Sequence, residues 1–335
     1  MHLEGLRYPI TPIGMHYLLI HFDIPFIDPA TYDLPIGGCV RNPLRLTLDE
    51  IKARPAVTVP VMMECSGNGR AGLHPRAISA PWQEEAVGCA EWTGTPLGPI
   101  LEEAGLLDET VEILFTGHDR GVDDGAEHDY ERSLSVDEAL REEMLLAYEM
   151  NGQLLPPQHG APLRLIAPDW YGMASVKWLK QITALDQPFE GIQQAVKYQY
   201  KTSREDPGTP ITYKTPRALM VSPGIPDYLS RTRHLKAGRV PVQGRAWSGR
   251  NRINKVEFSA DGGHSWDNAP LGEQVGRYGW IGWSYEWEAW EPGEYELCAR
   301  ATDAAGNTQP LAPKESWNYG GYQNNAVQRV PVFVE

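Results

Sequence analysis

The chain has 335 residues, a length at which two domains are expected because a single hydrophobic core rarely grows beyond about 250–300 residues. Charged residues make up 22% and apolar residues 41% of the sequence, which is typical of a globular protein and excludes a disordered or fibrous chain. With 44 acidic and 30 basic side chains, the net charge of −14 argues against a general nucleic-acid surface, so any anionic ligand must be bound by a local group of basic residues.

Targeting, membrane and cysteine patterns are weak in this sequence. The segment MHLEGLRYPITP lacks the basic stretch and apolar run of a secretory signal, and no 18-residue apolar stretch follows. We therefore expect a soluble protein without a membrane span, cytoplasmic as the sequence stands and periplasmic if a targeting segment has been removed. The four cysteines form no CxxC pair, no haem-attachment motif and no zinc motif, so the sequence demands neither haem nor disulfides.

The first part of the chain has a mixed α+β pattern. Short apolar segments at 57–64 (VTVPVMME) and 111–117 (VEILFTG) predict strands, whereas 135–144 (SVDEALREEM) predicts a helix. Ser135 is expected to cap that helix, with Glu138 at the capping-box position.

A proline-rich segment separates the two predicted domains. Five prolines between residues 202 and 226 exclude a regular helix and weaken any strand, so we expect this segment to be a connection. The predicted domains are a mixed α+β domain over residues 1–205 and a second domain over residues 206–335.

Beyond this segment, the pattern predicts strands joined by tight turns. KVEFS (255–259) runs into an Asp-Gly-Gly turn, YELCARATD (295–303) precedes a Gly-Asn turn, and RVPVFVE (329–335) has the same alternation. Strands at such intervals predict an antiparallel β-sandwich of immunoglobulin type. Three alternating aromatic residues favour a place in its core or at an interface rather than a platform for a ligand: Trp283, Tyr285 and Trp287.

Cys65 lies in the segment MMECSGNGR (62–70), where an apolar strand end runs into a glycine-rich turn. Such a turn can hold one thiol at a loop tip with backbone amides close by. From the residues alone, Cys65 is a buried structural cysteine, a nucleophile or a metal ligand. No Cys-His or Ser-His signature surrounds it, and the first domain has neither a G-x-G-x-x-G motif opening a helix nor a P-loop, so covalent catalysis and nucleotide chemistry have no visible support.

Several segments resemble, in order, successive blocks of the sulfite oxidase family: ECSGNGR (64–70), CAEWTGTPLGPILEEAGL (89–106), LLAYEMNGQLLPPQHGAPLRLIAP (145–168) and YGMASVKWL (171–179). The segment GRAWSGRNRINKVEFSADGGHSW (244–266) resembles that family's immunoglobulin-like dimerisation domain. The resemblance implies a molybdenum cofactor-binding catalytic domain of sulfite oxidase fold over residues 1–205 and an immunoglobulin-like dimerisation domain over residues 206–335. It also implies a homodimer.

The resemblance further implies that molybdenum held by molybdopterin is the cofactor, with Cys65 as the thiolate ligand to the metal. Soft sulfur ligands suit such a metal, and a coordinating cation drives ionisation of the thiol. The family's phosphate-binding residues fall on His159, Arg164 and Lys177, which would offer a planar fork and a point charge to the anion. Its other cofactor contacts fall on Tyr17, His21, Asn68, Asp119, Ser175 and Val176. Asp119 could accept hydrogen bonds from the pterin.

Taken singly, residues such as these are equally well explained as surface or capping residues, and only their shared order and spacing argue for a site. Near the metal and the substrate, the resemblance points to Arg70 and Tyr200. Arg70 has an alternative role, in a salt bridge that steadies the loop. Tyr198 competes with Tyr200 as the family's tyrosine, because the spacing differs by about two residues.

The chain departs from the family at positions that are basic in vertebrate-type sulfite oxidases, which here carry Leu19, Gly320 and, nearest by count, Ala80. Each charged hydrogen bond is worth about 1.5–3 kcal/mol, so the loss of two weakens oxyanion binding by about 10²–10⁴. Three basic residues are candidates to replace this charge, although structural roles suit them as well: His74, Arg76 and His118.

The resemblance implies a two-electron oxygen-atom transfer, with oxidation of sulfite to sulfate as the leading reaction. Electrons would pass to an external carrier, such as a basic cytochrome that the acidic surface could steer. Two alternatives remain. One is a reductase of S-oxides, N-oxides or nitrate on the same scaffold, and the other is a non-catalytic protein that binds partners through its β-sandwich.

Overall fold

A computed structural model describes residues 2–335 of the chain, which form two compact units. Of the described residues, the central unit comprises residues 18–63 and 90–212, and the C-terminal unit comprises residues 2–17, 64–89 and 213–335. The segment that carries Cys65 therefore belongs to the same compact unit as the C-terminal third of the chain. The predicted domain boundary after residue 205 stays a prediction.

The central unit is built mainly from strands. They are β1 Asp33–Gly38, β2 Leu44–Thr47, β3 Val57–Glu64, β4 Val87–Pro96, β5 Glu112–Asp123, β6 Ala126–Ser135, β7 Leu145–Met150, β8 Gln153–Leu154, β9 Arg164–Ile166, β10 Leu179–Leu185, β11 Gln199–Tyr200 and β12 Thr209–Pro210. Glu64 at the end of β3 and residues 87–89 of β4 are counted in the C-terminal unit. The apolar segment predicted over 57–64 is confirmed as β3, and the one over 111–117 as the first half of β5.

These strands form mixed sheets. One sheet has the order β2-β1-β10-β5-β6, in which β1 and β10 run parallel and the other neighbours antiparallel. Another has the order β3-β4-β7-β8, with β9 also pairing with β7, and β11 pairs with β12. Single 3-10 or π turns lie at Pro157–His159, Gly172–Ala174 and Ile192–Val196.

The helices of the central unit are short: α1 Leu48–Lys52, α2 Leu97–Ala104 and α3 Val136–Ala139. Ser135 caps α3 by accepting the Glu138 N–H, as predicted, but the helix ends well before residue 144. Beyond the helix the chain runs into β7, which begins at Leu145. The Met144 carbonyl, just before this strand, accepts the Leu97 N–H at 2.9 Å. Within residues 2–335, no helix has both the length and the apolar character needed to cross a membrane.

The C-terminal unit contains the remaining strands. They are β13 Arg217–Val221, β14 Ile225–Pro226, β15 Arg233–Leu235, β16 Gly238–Trp247, β17 Ile253–Ser259, β18 Asp267–Ala269, β19 Leu271–Gln274, β20 Ile281–Ala289, β21 Gly293–Asp303 and β22 Gln328–Val334. One sheet has the order β13-β16-β20-β19 and the other β14-β15-β22-β21-β17-β18. Short 3-10 turns lie at Leu3–Arg7, Ile13–Met15, Arg70–Gly72 and Pro313–Glu315.

Side chains from both sheets meet in one apolar core, as expected for a β-sandwich. Trp283 and Trp287 lie in this core with Leu297 and Ala299 of the facing sheet, and Tyr285 packs against its edge. The predicted fold, a mixed α+β part followed by an immunoglobulin-like sandwich, is therefore confirmed, and so is the structural role of the aromatic residues of β20.

The predicted connection over residues 202–226 is wrong in its second half, because β13 and β14 lie within it. Pro216 precedes β13 and Pro223 follows it, so these prolines bound the strand without interrupting it. As an edge strand that pairs only with β16 in its sheet, β13 tolerates prolines at its ends.

Candidate functional site

Cys65 directly follows β3 in a tight loop of the C-terminal unit. Its side chain is 7% exposed, its N–H donates to the Ala86 carbonyl at 2.9 Å, and its carbonyl accepts the Asn68 N–H at 2.9 Å. Burial raises the pKa of the Cys65 thiol, although the Gly67 N–H and the Arg70 charge oppose this shift. A buried thiol of this kind does not ionise readily on its own, and it loses its proton when a metal cation binds it.

The loop closes through Gly69. This residue has φ +82°, and a Cβ atom here would lie 2.8 Å from the Asn324 carbonyl oxygen, so the position requires glycine. The Asn324 Nδ2 donates to the Gly69 carbonyl at 2.7 Å, and the Gln323 N–H donates to the Ser66 carbonyl at 2.7 Å. The Cys65 loop is thus fastened to residues 323–324.

The amide of Asn68, a predicted cofactor contact, is engaged within the protein. Its Nδ2 donates to Glu64 Oε1 at 3.1 Å, and its Oδ1 accepts the Ala86 N–H at 3.1 Å. These bonds give Asn68 a role in shaping the loop, and its contact with a cofactor stays a prediction.

Arg70 also binds its surroundings. Its Nε donates to the Gly321 carbonyl at 3.0 Å, its Nη1 donates to Ser79 Oγ at 3.1 Å and the Ala80 carbonyl at 3.0 Å, and its guanidinium lies 5.0 Å from the Tyr322 ring centre. Arg70 therefore steadies the loop through hydrogen bonds to neutral groups, where the sequence suggested a salt bridge. Its role near a substrate stays a prediction.

A buried carboxylate, which was not among the predicted site residues, precedes Cys65. Glu64 is 2% exposed, its Oε1 accepts Arg217 Nη1 at 3.1 Å, and its Oε2 accepts Trp247 Nε1 at 2.9 Å. A charge at the end of an apolar strand is rarely left without partners, because an unpaired buried charge is very costly. That charge was the signal in the sequence that could have revealed this group.

In the central unit, the structure brings together His159, Arg164 and Lys177. Arg164 is buried, its Nη1 donates to the His159 carbonyl at 2.8 Å, and its Nη2 donates to the Ser175 carbonyl at 2.9 Å. Its guanidinium lies 4.8 Å from the ring centre of Trp92. Arg164 therefore ties together the two segments that carry His159 and Lys177.

Lys177 passes close to the backbone at Gly160. There φ is +109°, and a Cβ atom would lie 2.9 Å from the Cβ of Lys177. The Lys177 Nζ donates to the Leu19 carbonyl at 2.7 Å and lies 4.1 Å from the Trp178 ring centre. Burial and the Arg164 charge lower the pKa of Lys177 to about 7, although Asp119 opposes this shift. A bound anion would stabilise the charged form of this lysine.

Asp119 lies where the pairing of β5 with β6 is interrupted between Thr116 and Arg120. It is 3% exposed, and within residues 2–335 its Oδ1 has no hydrogen-bond partner. Burial raises the pKa of Asp119 to about 6, although the Lys177 charge opposes this shift. An unpaired buried carboxylate oxygen is costly unless a ligand supplies a donor.

Tyr198, and not Tyr200, lies beside His21. The His21 Nε2 and the Tyr198 hydroxyl share a hydrogen bond of 2.6 Å, and the His21 ring stacks on Tyr130 with 4.5 Å between centres. Burial and the Lys177 charge lower the pKa of His21 to about 4, so its ring is neutral at neutral pH. Tyr200 pairs with Thr209 in the short β11–β12 ladder. The spacing of the sequence favoured Tyr200, but the structure groups Tyr198 with His21.

Three further predicted residues serve local structure. The Ser175 Oγ accepts the Ala167 N–H at 3.1 Å, and Val176 is buried. Tyr17, in the C-terminal unit, stacks on His16 with 5.3 Å between ring centres. Their contacts with a cofactor stay predictions.

The candidate replacements for missing positive charge differ in exposure. His74 and Arg76 are exposed, and His118 is half-buried with a pKa lowered by burial and by Lys180. Arg132, which was not among the predicted site residues, is buried, and its guanidinium lies 5.4 Å from the Tyr198 ring centre. Arg132 lies on β6, and the alternation of polar and apolar residues along this strand does not indicate a contact with Tyr198.

Within its own unit, each of these groups has the chemistry that one part of a metal–pterin cofactor with a terminal phosphate requires. Cys65 offers a free soft sulfur, Asp119 offers an acceptor that lacks a donor, and Lys177 offers a cation whose charge an anion would stabilise. Among the side chains of residues 2–335, no cluster of three or more His, Cys, Asp or Glu is placed to hold a metal ion.

Comparison with known proteins gives a family match for each half of the chain. Residues 21–193 match the oxidoreductase molybdopterin binding domain, and residues 217–335 match the Mo-co oxidoreductase dimerisation domain.

Individual relatives match along nearly the whole chain. Mitochondrial sulfite oxidase of Drosophila melanogaster is 35% identical, over 97% of this chain and 59% of that protein. The nitrate reductase [NADH] of Ulva prolifera is 28% identical, over 97% of this chain and 40% of that protein. Among solved structures, the sulfane dehydrogenase SoxCD from Paracoccus pantotrophus has a TM-score of 0.81 and 26% identity, over 97% of this chain and 83% of that chain. The chain thus spans about three-fifths of the length of the Drosophila protein.

Proposed function

Because the chain belongs to the sulfite oxidase family of molybdopterin oxidoreductases, we propose that it is a molybdenum cofactor-dependent enzyme that transfers an oxygen atom to or from a small substrate. The observation that best supports this proposal is the free, buried thiol of Cys65 in a fastened glycine-turn loop. The proposed reaction is oxidation of sulfite to sulfate.

Each group of residues has a proposed task toward the cofactor. Cys65 would ligate the metal, while His159, Arg164 and Lys177 would hold the phosphate. Asp119 would accept a hydrogen bond from the pterin ring, which would pair its buried Oδ1. When bound, the cofactor supplies the two-electron oxygen-atom chemistry, and the protein orients it.

We propose Tyr198 in place of Tyr200 as the tyrosine near the metal. Its hydroxyl is held by His21 Nε2 at 2.6 Å, and the Arg132 guanidinium lies over its ring. Because His21 is neutral at neutral pH, it can act as donor or acceptor in this bond, and it fixes the direction of the hydroxyl in either case.

For its assembly and electron transfer, we propose a homodimer formed through the sandwich and an external one-electron carrier. The match of residues 217–335 to a dimerisation domain supports the dimer. The likeness to a sulfane dehydrogenase supports a role in sulfur chemistry.

A reductase of S-oxides, N-oxides or nitrate is the second candidate. Leu19 and Gly320 provide no positive charge where vertebrate-type sulfite oxidases have arginine, and one relative is a nitrate reductase. A less basic pocket would bind sulfite dianion weakly and would favour a neutral oxide. The further alternative, a non-catalytic sandwich protein, has lost its support because both halves match an oxidoreductase family.

Two assays on fully metal-loaded protein separate these reactions. We expect sulfite to reduce ferricyanide in the presence of the enzyme, and we expect little oxidation of reduced viologen by dimethyl sulfoxide, trimethylamine N-oxide or nitrate. Turnover with an oxide but none with sulfite would establish the second candidate. If the loaded protein turns over none of these compounds, oxygen-atom transfer to this substrate class is wrong.

Anion binding at Lys177 is expected to weaken above pH 7. At higher pH the free lysine is neutral, so a bound anion must draw a proton onto it, and the affinity falls by up to about tenfold per pH unit. We suggest sulfate as the probe for the metal-free protein, because the charge of sulfate is constant between pH 7.5 and 9. This range also lies above the pKa of Asp119, about 6, so Asp119 does not titrate within it. Titration calorimetry would measure the affinity.

Lys177→Arg is the matched control, because a guanidinium stays charged throughout this range. Its sulfate affinity should be nearly independent of pH. An equally flat profile in the parent protein would overturn this prediction, which requires both contact between Lys177 and the anion and a lowered pKa of Lys177.

A further inference from the structure

We propose that Arg217, on β13 of the sandwich, is a positioning residue for Cys65 that acts through the buried carboxylate of Glu64. The inference rests on the proposed function, in which Cys65 is the metal ligand. It gives the sandwich a task at the metal site in addition to dimerisation.

The carboxylate of Glu64 is held by donors from separate parts of the C-terminal unit. Asn68 Nδ2 comes from the loop itself, Arg217 Nη1 from β13, and Trp247 Nε1 from the end of β16, at 3.1, 3.1 and 2.9 Å. β13 and β16 are paired, with Arg217 opposite Trp247 in the register. The paired ends of β13 and β16 therefore hold Glu64, the residue that immediately precedes Cys65.

The guanidinium of Arg217 joins more than one part of the loop. Besides Glu64, it pairs through Nη2 with Glu84, near the other end of the 64–89 segment. Its Nη1 also donates at 2.7 Å to the Asn324 carbonyl, next to the amide that binds Gly69. Arg217 is 1% exposed, so its guanidinium is fully removed from water.

For holding the Cys65 loop, the planar shape of the Arg217 guanidinium matters more than its charge. A lysine ammonium at the same place is a single point and cannot face Glu64, Glu84 and the Asn324 carbonyl as a planar guanidinium does. Losing one charged hydrogen bond increases local opening by about tenfold or more, because the bond holds the closed state. A loop that opens more often presents its thiol less precisely to a metal.

The test uses Arg217→Lys in the full-length, metal-free protein. Iodoacetamide labelling of each cysteine is followed by mass spectrometry of its peptide. We expect Cys65 to be alkylated about tenfold faster or more than in the parent. The buried Cys298, on β21 of the sandwich, should keep its parent rate, which would show that the opening is local.

Arg300→Lys is the matched control, because Arg300 Nη2 pairs with Glu257 at 3.0 Å between β21 and β17 of the same sandwich. Its Cys65 rate should equal that of the parent. In protein loaded with cofactor, we expect the electron paramagnetic resonance spectrum of the metal to change in Arg217→Lys and not in Arg300→Lys.

If Arg217→Lys does not fold, Trp247→Phe carries the test, because it keeps an aromatic ring in the core and removes only the donor to Glu64 Oε2. A rise in Cys65 labelling in that variant supports the proposal. Unchanged Cys65 labelling in a folded variant overturns it, and so does an equal rise at Cys298. Labelling of metal-free protein is independent of the proposed function, which fails separately if the parent binds no molybdenum.

Discussion

Cys65→Ser is expected to abolish most of the turnover and to change the absorption spectrum of the bound metal while leaving the fold intact. A serine hydroxyl is a hard ligand that does not ionise at neutral pH, and it replaces a soft sulfur at a buried site. Removing a residue that only supports a metal ligand costs about 10–100-fold in affinity or activity, so removing the ligand itself should lower turnover more than about 100-fold. Steady-state turnover and the absorption spectrum of protein from a cofactor-competent host would measure the change, and elemental analysis would report the molybdenum that the pterin still holds.

Cys89→Ser is the control for this experiment, because Cys89 is also a buried cysteine of the C-terminal unit. It should bind as much molybdenum as the parent. If Cys65→Ser and Cys89→Ser retain equal molybdenum and equal turnover, Cys65 is not the ligand, and the proposed function loses its central observation.

Arg164→Met should destabilise the central unit and impair cofactor retention. The substitution leaves the carbonyls of His159 and Ser175 without their charged donor. Each such bond contributes about 1.5–3 kcal/mol, so we expect the free energy of unfolding to fall by about 3 kcal/mol or more. Urea denaturation of metal-free protein would show a lower midpoint with an unchanged slope.

The matched control is Arg120→Met, which removes an exposed arginine that pairs with Glu127 and Asp129 on the same unit. Its unfolding midpoint and cofactor content should stay close to those of the parent, because exposed ion pairs contribute little. Equal midpoints for Arg164→Met and Arg120→Met would contradict the structural role of Arg164.

Strand periodicity identified most of the sandwich because its strands have one face in the core and one in water. Trp283 and Trp287 of β20, and Leu297 and Ala299 of β21, follow this rule. β13 does not, since every residue from Arg217 to Val221 is buried and the strand therefore has no polar face to reveal it. Its flanking prolines then resembled those of a linker.

The sequence likewise identified some residues of the candidate site and not others. The family resemblance selected His159, Arg164 and Lys177, and the structure places them together, although their contacts with a cofactor remain predictions. Tyr198 was harder to choose, because a difference of two residues in spacing cannot decide between neighbouring tyrosines. The left-handed backbone of Tyr198, with φ +52°, belongs to a turn that the sequence did not indicate.

The partners of Glu64 could not have been named from the sequence. A buried charge shows that a partner exists, but Arg217 is 153 residues away along the chain. Only the pairing of β13 with β16 brings Arg217 and Trp247 to the same place.

The fastening of the Cys65 loop also has a consequence in time. The residues that hold it are made 153 and 255 positions later, at Arg217 for Glu64 and at Asn324 for Gly69. A ribosome releases the polypeptide from its N-terminus, so Cys65 emerges into the cell long before its supports exist. The thiol acquires its fixed place only after Asn324 has been made, so the loop stays unfastened for the synthesis of at least 255 further residues.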